Sequence, residues 1–298
     1  MPRIIANYPM SEYRRGVYKA GAFHFAPFED HGPHDRLVPH RHDFFEIIWL
    51  REGRGRVVCD LRHYEFGPHT LLIFSPGQVH SWEFDEPGRG RIASFTPEFL
   101  AVSKEYPEML AKMPFLYAES LDPILTLTPE EGARIGTLLE HFDAFVRDEA
   151  PGRDDMVRGF LVILLSLARQ CFARRATPPT SAQRGEGELL VQRFRLALEE
   201  RMPGVVEVGE IADFIRVSRS QLNESLRRCT GRSASEIIHD RVLLEAKRLL
   251  LHSSLTVAEI AYQLKFQDPS YFGRFFRKYT AQTPGAYRDS AQRDALVA

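Results

Sequence analysis

Four residues early in the chain have the types and spacing of a metal or polar-ligand site: His40, His42, Glu46 and, after a Pro76-Gly77 turn, His80. His40, His42 and Glu46 share parity on one extended strand, so their side chains point the same way. Two imidazoles, a carboxylate and a third imidazole suit Fe, Mn, Ni, Zn or Cu, borderline ions that accept mixed nitrogen and oxygen ligands. Such an ion with open positions supports hydrolytic or oxygen chemistry. The alternative is that the same groups line a pocket for an organic effector, with Trp82 beside them and His24, Phe25 or Arg36 added if the early segment folds inward. Imidazoles and a carboxylate fix hydroxyls while an indole stacks on a ring or sugar face, which suggests a sugar or an aromatic acid.

The elements that must position these residues are short strands. From Leu37 to Phe84 the text has turn signals at Glu52-Gly53, Gly67-Pro68 and Pro76-Gly77 and no helical period, which predicts a small barrel or jelly roll. Residues 1–36, rich in Tyr, Phe and Pro, read either as an arm over that barrel or as loop. Two helices follow: Pro129 to Arg147 places Ile135, Leu138, Leu139, Phe142 and Val146 on one face, and Asp154 to Arg174 does the same with Val157, Phe160, Leu161, Leu164, Leu165, Ala168 and Cys171. Residues 175–187, with Pro-Pro, Ser, Gln and Gly and no apolar face, are a linker. Leu189 to Glu200 then opens a helical domain.

That domain carries the second chemical feature. Val208 to Arg288 reads twice as helix, tight turn, helix. In the first copy Ile211, Ala212, Phe214 and Ile215 form an apolar face, Ser218 offers an N-cap, and Leu222, Leu226 and Cys229 face inward from the second helix. In the second copy Thr256 caps a helix with Val257, Ile260, Ala261 and Leu264, and Asp268 with Pro269 opens one carrying Phe272, Phe275, Phe276 and Tyr279. Helix pairs of this kind with a basic outer face place their second helix in a DNA major groove. The connecting helix, Ser235 to His252, would be about 26 Å long and suits two recognition helices in successive grooves. From Phe214 to Arg288 there are 13 Lys and Arg against 6 Asp and Glu, a net of +7, while residues 1–182 carry 21 against 25, a net of −4. The nearly neutral chain is thus electrically divided, and its basic part is the repeated part.

With 298 residues, 44% hydrophobic and 27% charged, the chain has room for two ordinary globular domains. No uninterrupted apolar run approaches the roughly 18 residues of a membrane span, and the first residues lack a signal-peptide pattern, so a cytoplasmic protein without membrane association is expected. Cys59, Cys171 and Cys229 form no CxxC pair, which argues against a disulfide framework or a cysteine zinc site; all three are expected to be buried.

Ile211-Ala212, Ser218, Leu222, Gly231, the Arg241 to Ala246 spacing, Leu249-Leu250, Ile260-Ala261, Phe266, Tyr271-Phe272, Phe276, Thr283-Pro284 and Tyr287-Arg288 resemble the signature of the AraC/XylS family of transcriptional regulators over roughly the last hundred residues. Two departures are Lys265, where the family usually has glycine, and Leu226, where it often has Phe. Lys265 is strained if its position needs a positive φ. The pattern HxHxxxExxxxxxG ending at Gly53, then PGxxH, resembles the two cupin motifs, the second imperfectly, in which His40, His42, Glu46 and His80 would bind a divalent metal.

The AraC/XylS resemblance implies base-edge contacts from Ser220, Gln221, Asn223 and Glu224 and from Ser270 and Arg274, with Arg219, Arg227, Arg228, Arg277 and Lys278 on phosphates. It also implies that the cupin-like pocket holds an effector without metal or catalysis, that the two middle helices pair subunits, and that promoter DNA and RNA polymerase are the partners. The expected architecture is multidomain: an all-β cupin-like barrel with two following helices over 1–174, the linker at 175–187, and an all-α double helix-turn-helix domain over 188–290, with motifs at about 208–229 and 256–279. The expected protein is a homodimeric, non-enzymatic, sequence-specific transcriptional regulator, an activator, that needs no cofactor. The alternative is a cupin metalloenzyme with an appended DNA-binding module.

Overall fold

The structure is a computed structural model, and it describes residues 5–10, 18–20, 22–30, 37–100, 113–117, 122–146, 151–175, 186–202, 204 and 206–297. Contacts divide the chain into two compact units, Ala6–Thr180 and Ser181–Ala298 with Met1–Ile5. Residues 176–185, most of the expected linker, lie outside the described residues, as does Arg36.

The first unit is a nine-stranded sheet whose main path runs β1 (Ala6–Tyr8), β4 (His40–His42), β8 (His80–Phe95), β5 (Phe45–Cys59), β7 (Thr70–Phe74), β9 (Ile124–Thr126). The hairpin β2 (Tyr18–Ala20) and β3 (Phe23–Pro27) joins through β3 to β8, and β6 (Arg62–Phe66) joins β5. The segment read as arm or loop therefore supplies strands. Its first strand pairs in parallel with β4, Tyr8 opposite His42.

The long strands β5 and β8 pair along most of their length, with register shifts between Leu50 and Gly55. Glycine is required at that bend: Gly53 has φ +114, and a Cβ on Gly55 would stand 2.1 Å from the carbonyl oxygen of Glu83. The bend folds the sheet around an interior of Phe28, Ile48, Leu50, Val57, Cys59, Phe66, Leu72, Phe74, Trp82 and Ile92. On the opposite face, Phe23 and Phe25 meet Phe142 and Phe160 of the two following helices, α1 (Pro129–Val146) and α2 (Arg153–Arg175).

Both helices start and stop within a residue or two of the periodicity reading. By length and composition helix α2 is apolar enough to cross a bilayer, although Arg158 and Arg169 keep its uninterrupted apolar run far below 18 residues. Its charges gather at its ends, and the apolar middle comes from Val157, Phe160, Leu161, Leu164, Leu165, Ala168 and Cys171, all buried. At its end Arg174 and Arg175 bind the buried Glu131, and the Arg175 guanidinium holds that carboxyl down at about 2.

The second unit is helical: α3 (Glu186–Arg201), α4 (Val208–Phe214), α5 (Arg219–Thr230), α6 (Ala234–His252), α7 (Val257–Gln263), α8 (Pro269–Thr280) and α9 (Pro284–Val297). Its two helix-turn-helix copies repeat the backbone hydrogen bonds of the turn. Helix α4 ends with Val217 N–H donating to Ala212 O and Arg216 N–H to Asp213 O; α7 ends with Phe266 to Ala261 and Lys265 to Tyr262. This is the Schellman arrangement, whose first residue beyond the cap adopts the left-handed conformation. Arg216 and Lys265 hold that place at φ 57 and 60, so the strain expected at Lys265 is present, and Arg216 carries it as well.

Helices α5 and α8 then open on the N-caps Ser218 and Asp268, which accept from Gln221 and Tyr271 N–H. The second turn is longer by the single residue Gln267. At the far ends, Thr230 and Thr280 return hydrogen bonds to Leu226 and Phe276 carbonyls, and Gly231 and Ala281 take the left-handed position at φ 73 and 61.

A Cβ at Gly231 meets nothing within 4 Å, so backbone conformation alone separates glycine from alanine there. Ala281→Gly is accordingly expected to stabilise the helical unit by about 1 kcal/mol and Gly231→Ala to destabilise it by about as much. Thermal melts of the two variants check this, and a lower midpoint for Ala281→Gly would contradict it.

Not every side chain expected inside is buried. Phe214 is 47% exposed, with the Arg201 guanidinium 3.7 Å from its ring centre. Cys229 is only half-buried, while Cys59 and Cys171 are buried as expected.

Candidate effector site and nucleic-acid interface

Register explains the site in the sheet. Directly opposed residues share a face, and His24, Ser94, Glu46 and Phe74 are successive partners across β3, β8, β5 and β7. His40, His80 and Cys59 are successive partners across β4, β8 and β5. The bent strand β8 contributes to both rows, and they meet at Glu46, whose Oε2 is 3.8 Å from both His42 Nε2 and His80 Nε2. His24, His40, His42, Glu46, His80 and Ser94 are all buried.

The expected quartet is thus brought together, but not on one strand. His40 and His42 lie on β4, Glu46 on β5 and His80 on β8. Trp82 belongs to the apolar layer below: it stacks on Phe84 and meets Phe28, Phe66 and Phe74 edge-on. Phe25 faces the helices. His24 points into the site, and Ser94, with Cys59, was not anticipated. The signal for Ser94 was available: in Ile92-Ala93-Ser94-Phe95 a lone hydroxyl interrupts a run that is apolar on both faces.

His40 Nδ1 lies 2.8 Å from the Val38 carbonyl and His80 Nδ1 3.2 Å from that of Gln78. A carbonyl only accepts, so each Nδ1 carries a proton, and in a neutral His80 ring that leaves Nε2 unprotonated. Burial, with His40 and His42 alongside, pushes the His80 imidazole well below its ordinary value, so it is neutral. His80 stacks on Phe74 at 4.1 Å, and the Tyr8 ring covers His40 edge-on. Ser94 Oγ and His80 Nε2 are buried without a hydrogen-bond partner.

The donor set fits a divalent ion. One ligand atom each from His40, His42 and His80 lie within 4.8 Å of one another, and nitrogens about 2.1 Å from a common ion stand at most about 4.2 Å apart, so shifts of a few tenths of an ångström would suffice. Carbonyl-anchored imidazoles are the usual support for such ligands.

On the helical unit, Arg219, Ser220, Gln221, Glu224, Arg227 and Arg228 of α5 and Ser270, Arg274, Arg277 and Lys278 of α8 are exposed. Asn223 is the exception. Its Oδ1 accepts the Ala234 N–H at 3.0 Å and its Nδ2 donates to the Arg219 carbonyl at 3.2 Å, so the amide joins α5 to the start of α6 and is not free to read an adenine. Arg219 lies against Gly209 of α4, where a Cβ would stand 1.9 Å from its guanidinium.

Two protein-family models match the sequence, an AraC-like ligand binding domain over residues 22–123 and a helix-turn-helix domain over 211–290. The HTH-type transcriptional activator RhaR of Escherichia coli strain K12 is 24% identical over 269 residues, 89% of this chain and 92% of that protein. Among solved structures, ToxT from Vibrio cholerae aligns over 90% of this chain and 98% of its own at 15% identity and TM-score 0.39. The DNA-binding domain of AdpA, in complex with a target DNA, aligns over 35% and 94% at 27% identity and TM-score 0.33. A sheet domain of the first kind followed by a paired helix-turn-helix unit defines a transcription regulator with a ligand-binding domain. The chain belongs to the AraC family, as a sequence-specific DNA-binding regulator.

Proposed function

We propose that the chain is a cytoplasmic, homodimeric activator whose DNA binding is conditional on a small molecule held at the polar layer of the sheet domain, with no catalytic role. The observation that carries this reading is the buried row His24, Ser94, Glu46 meeting His42 and His80, with a hydroxyl and an imidazole nitrogen that form no hydrogen bond. Buried polar groups without partners are costly unless a ligand satisfies them. The apolar layer beneath, including Trp82, forms the floor of that site.

An organic effector with hydroxyl or ring-bound polar groups matches these donors and acceptors. In calorimetric titration with a panel of sugars and aromatic acids, at least one compound is expected to bind, and His80→Ala and Ser94→Val are each expected to weaken it by tenfold or more. Unchanged affinity in both variants would reject the site. Elemental analysis of the purified protein separates an ion on His40, His42, Glu46 and His80 from an organic ligand, and one tightly held metal per chain together with turnover would favour the metalloenzyme alternative.

RhaR is named a transcriptional activator, and promoter DNA and RNA polymerase are the partners an activator requires. Base reading falls to Ser220, Gln221 and Glu224 of α5 and to Ser270 and Arg274 of α8, with Arg219, Arg227, Arg228, Arg277 and Lys278 on phosphates and Asn223 withdrawn. Pairing of two copies through α1 and α2 is supported by Phe145, Met156 and Ile163, which are 58%, 45% and 51% exposed on those helices. In this reading the sensor spans 1–174 and the reader 188–290.

A further inference from the structure

The two recognition helices are not equivalent, and their difference assigns a role to Tyr271. Counting from the caps Ser218 and Asp268, Gln221 of α5 corresponds to Tyr271 of α8, and Glu224 to Arg274. Where the first helix has an amide and a carboxylate, the second has an aromatic ring and a guanidinium, one helical turn apart and therefore neighbours. The Arg274 guanidinium carbon lies 5.9 Å from the Tyr271 ring centre. Among the described residues no ion pair holds Arg274, and its helix carries no acidic residue from Pro269 to Thr280. The Tyr271 ring also meets the Phe266 ring, with 5.8 Å between their centres.

Phe266 is buried and is the last residue of the Schellman turn, held by its N–H to Ala261. Tyr271 is itself 51% exposed. A chain of contacts therefore runs from the rigid turn through one ring to a second ring and then to the charged tip. The corresponding first-copy residues, Val217, Gln221 and Glu224, include no aromatic ring.

We propose that Tyr271 is a positioning residue that presets the Arg274 guanidinium for its contact with a base edge in the major groove. The proposal rests on the reading that α8 enters that groove. A long arginine loses several rotors when it binds bidentately; a ring that already restricts them lowers that loss, and the cation–π contact contributes at an exposed site about what a three- to fivefold change in affinity represents.

The test is a double-mutant cycle on the full chain, using duplexes recovered by that chain from a randomised DNA pool. Tyr271→Ala is expected to weaken binding to the recovered duplex three- to fivefold and to leave the salt dependence unchanged, because no phosphate contact is lost. Tyr271→Phe, which keeps the ring, is expected to stay within twofold of the parent. In an Arg274→Ala background, Tyr271→Ala is expected to cost nothing further. Equal losses in both backgrounds, or a Phe variant as weak as the Ala variant, would overturn the positioning role while leaving the groove assignment intact. If instead Arg274→Ala weakens recovered and random duplexes alike, the placement of α8 in the groove fails, and the role of Tyr271 fails with it.

Discussion

Glu245→Ala is expected to destabilise the helical unit by about 3–5 kcal/mol, the cost of breaking a buried ion pair by removing one partner. Glu245 is 2% exposed on α6, between Arg241 at 4% and Arg248 at 2%. Its Oε2 is 3.1 Å from Arg248 Nη1 and 3.4 Å from Arg241 Nη1, and Arg241 reaches across to α3 with Nε 2.6 Å from Glu199 Oε1 and Nη2 2.9 Å from Oε2. Glu245 thus joins two buried guanidinium groups on α6, and one of them, Arg241, ties that helix to α3. Removing Glu245 takes away a carboxylate that both buried guanidinium groups contact, whereas Glu245→Gln keeps the shape and part of the hydrogen bonding and is expected to cost less.

For a unit of about a hundred residues such a loss corresponds to a fall of roughly 15–20 °C in the melting midpoint. Because the chain has two units, the relevant transition is the one that added duplex DNA raises. A shift of under about 3 °C in that transition would show that the network is not a determinant of stability.

The network also shows where sequence reading stops. Three charged residues at i, i+4 and i+7 on a helix read as a solvated stripe, and only the arrival of α3 against that face turns them into interior groups. The reverse holds at Phe214, placed inside by its spacing yet capped outside by Arg201. Local signals were far more legible: Ser218 and Asp268 cap the helices they were expected to cap, and both turns end where the apolar periodicity breaks. Lys265 illustrates an intermediate case, since the conformation it must adopt was readable from the glycine that the family places there, while the matching strain at Arg216 needed the backbone.

The sheet site divides in the same way. Parity along the chain correctly grouped His40, His42 and Glu46, although a break at Asp43-Phe44 puts Glu46 on another strand. What spacing could not supply is register: His24, Ser94 and Glu46 come from segments far apart in sequence, and only interstrand pairing aligns them. Trp82 shows the cost of reasoning without depth, since an indole two residues from a site histidine lies on the same face but one layer lower, among phenylalanines.

Register of another sort governs DNA reading, and Arg274→Ala is expected to have the largest effect on it, a loss of about 1–3 kcal/mol on the selected duplex with relaxed preference at one base pair. Arg274 sits on the exposed face of α8, one turn beyond its first residues, and no described carboxylate neutralises it. Its fork matches guanine O6 and N7, which present two acceptors in the major groove. The equivalent residue of α5 is Glu224, an acceptor suited to a cytosine amine, so the two half-sites should differ in sequence and not form a direct repeat. Arg277 and Lys278 lie on the last turn of α8, and with the proposed phosphate role Arg277→Ala should weaken all duplexes alike and reduce the salt slope by about one. The two variants therefore separate base reading from phosphate anchoring on a single helix. Measured by titration at two salt concentrations on selected and random duplexes, a specific loss with unchanged slope for Arg274→Ala, against a uniform loss with a smaller slope for Arg277→Ala, is the expected pattern; the same pattern for both would place neither residue at a base.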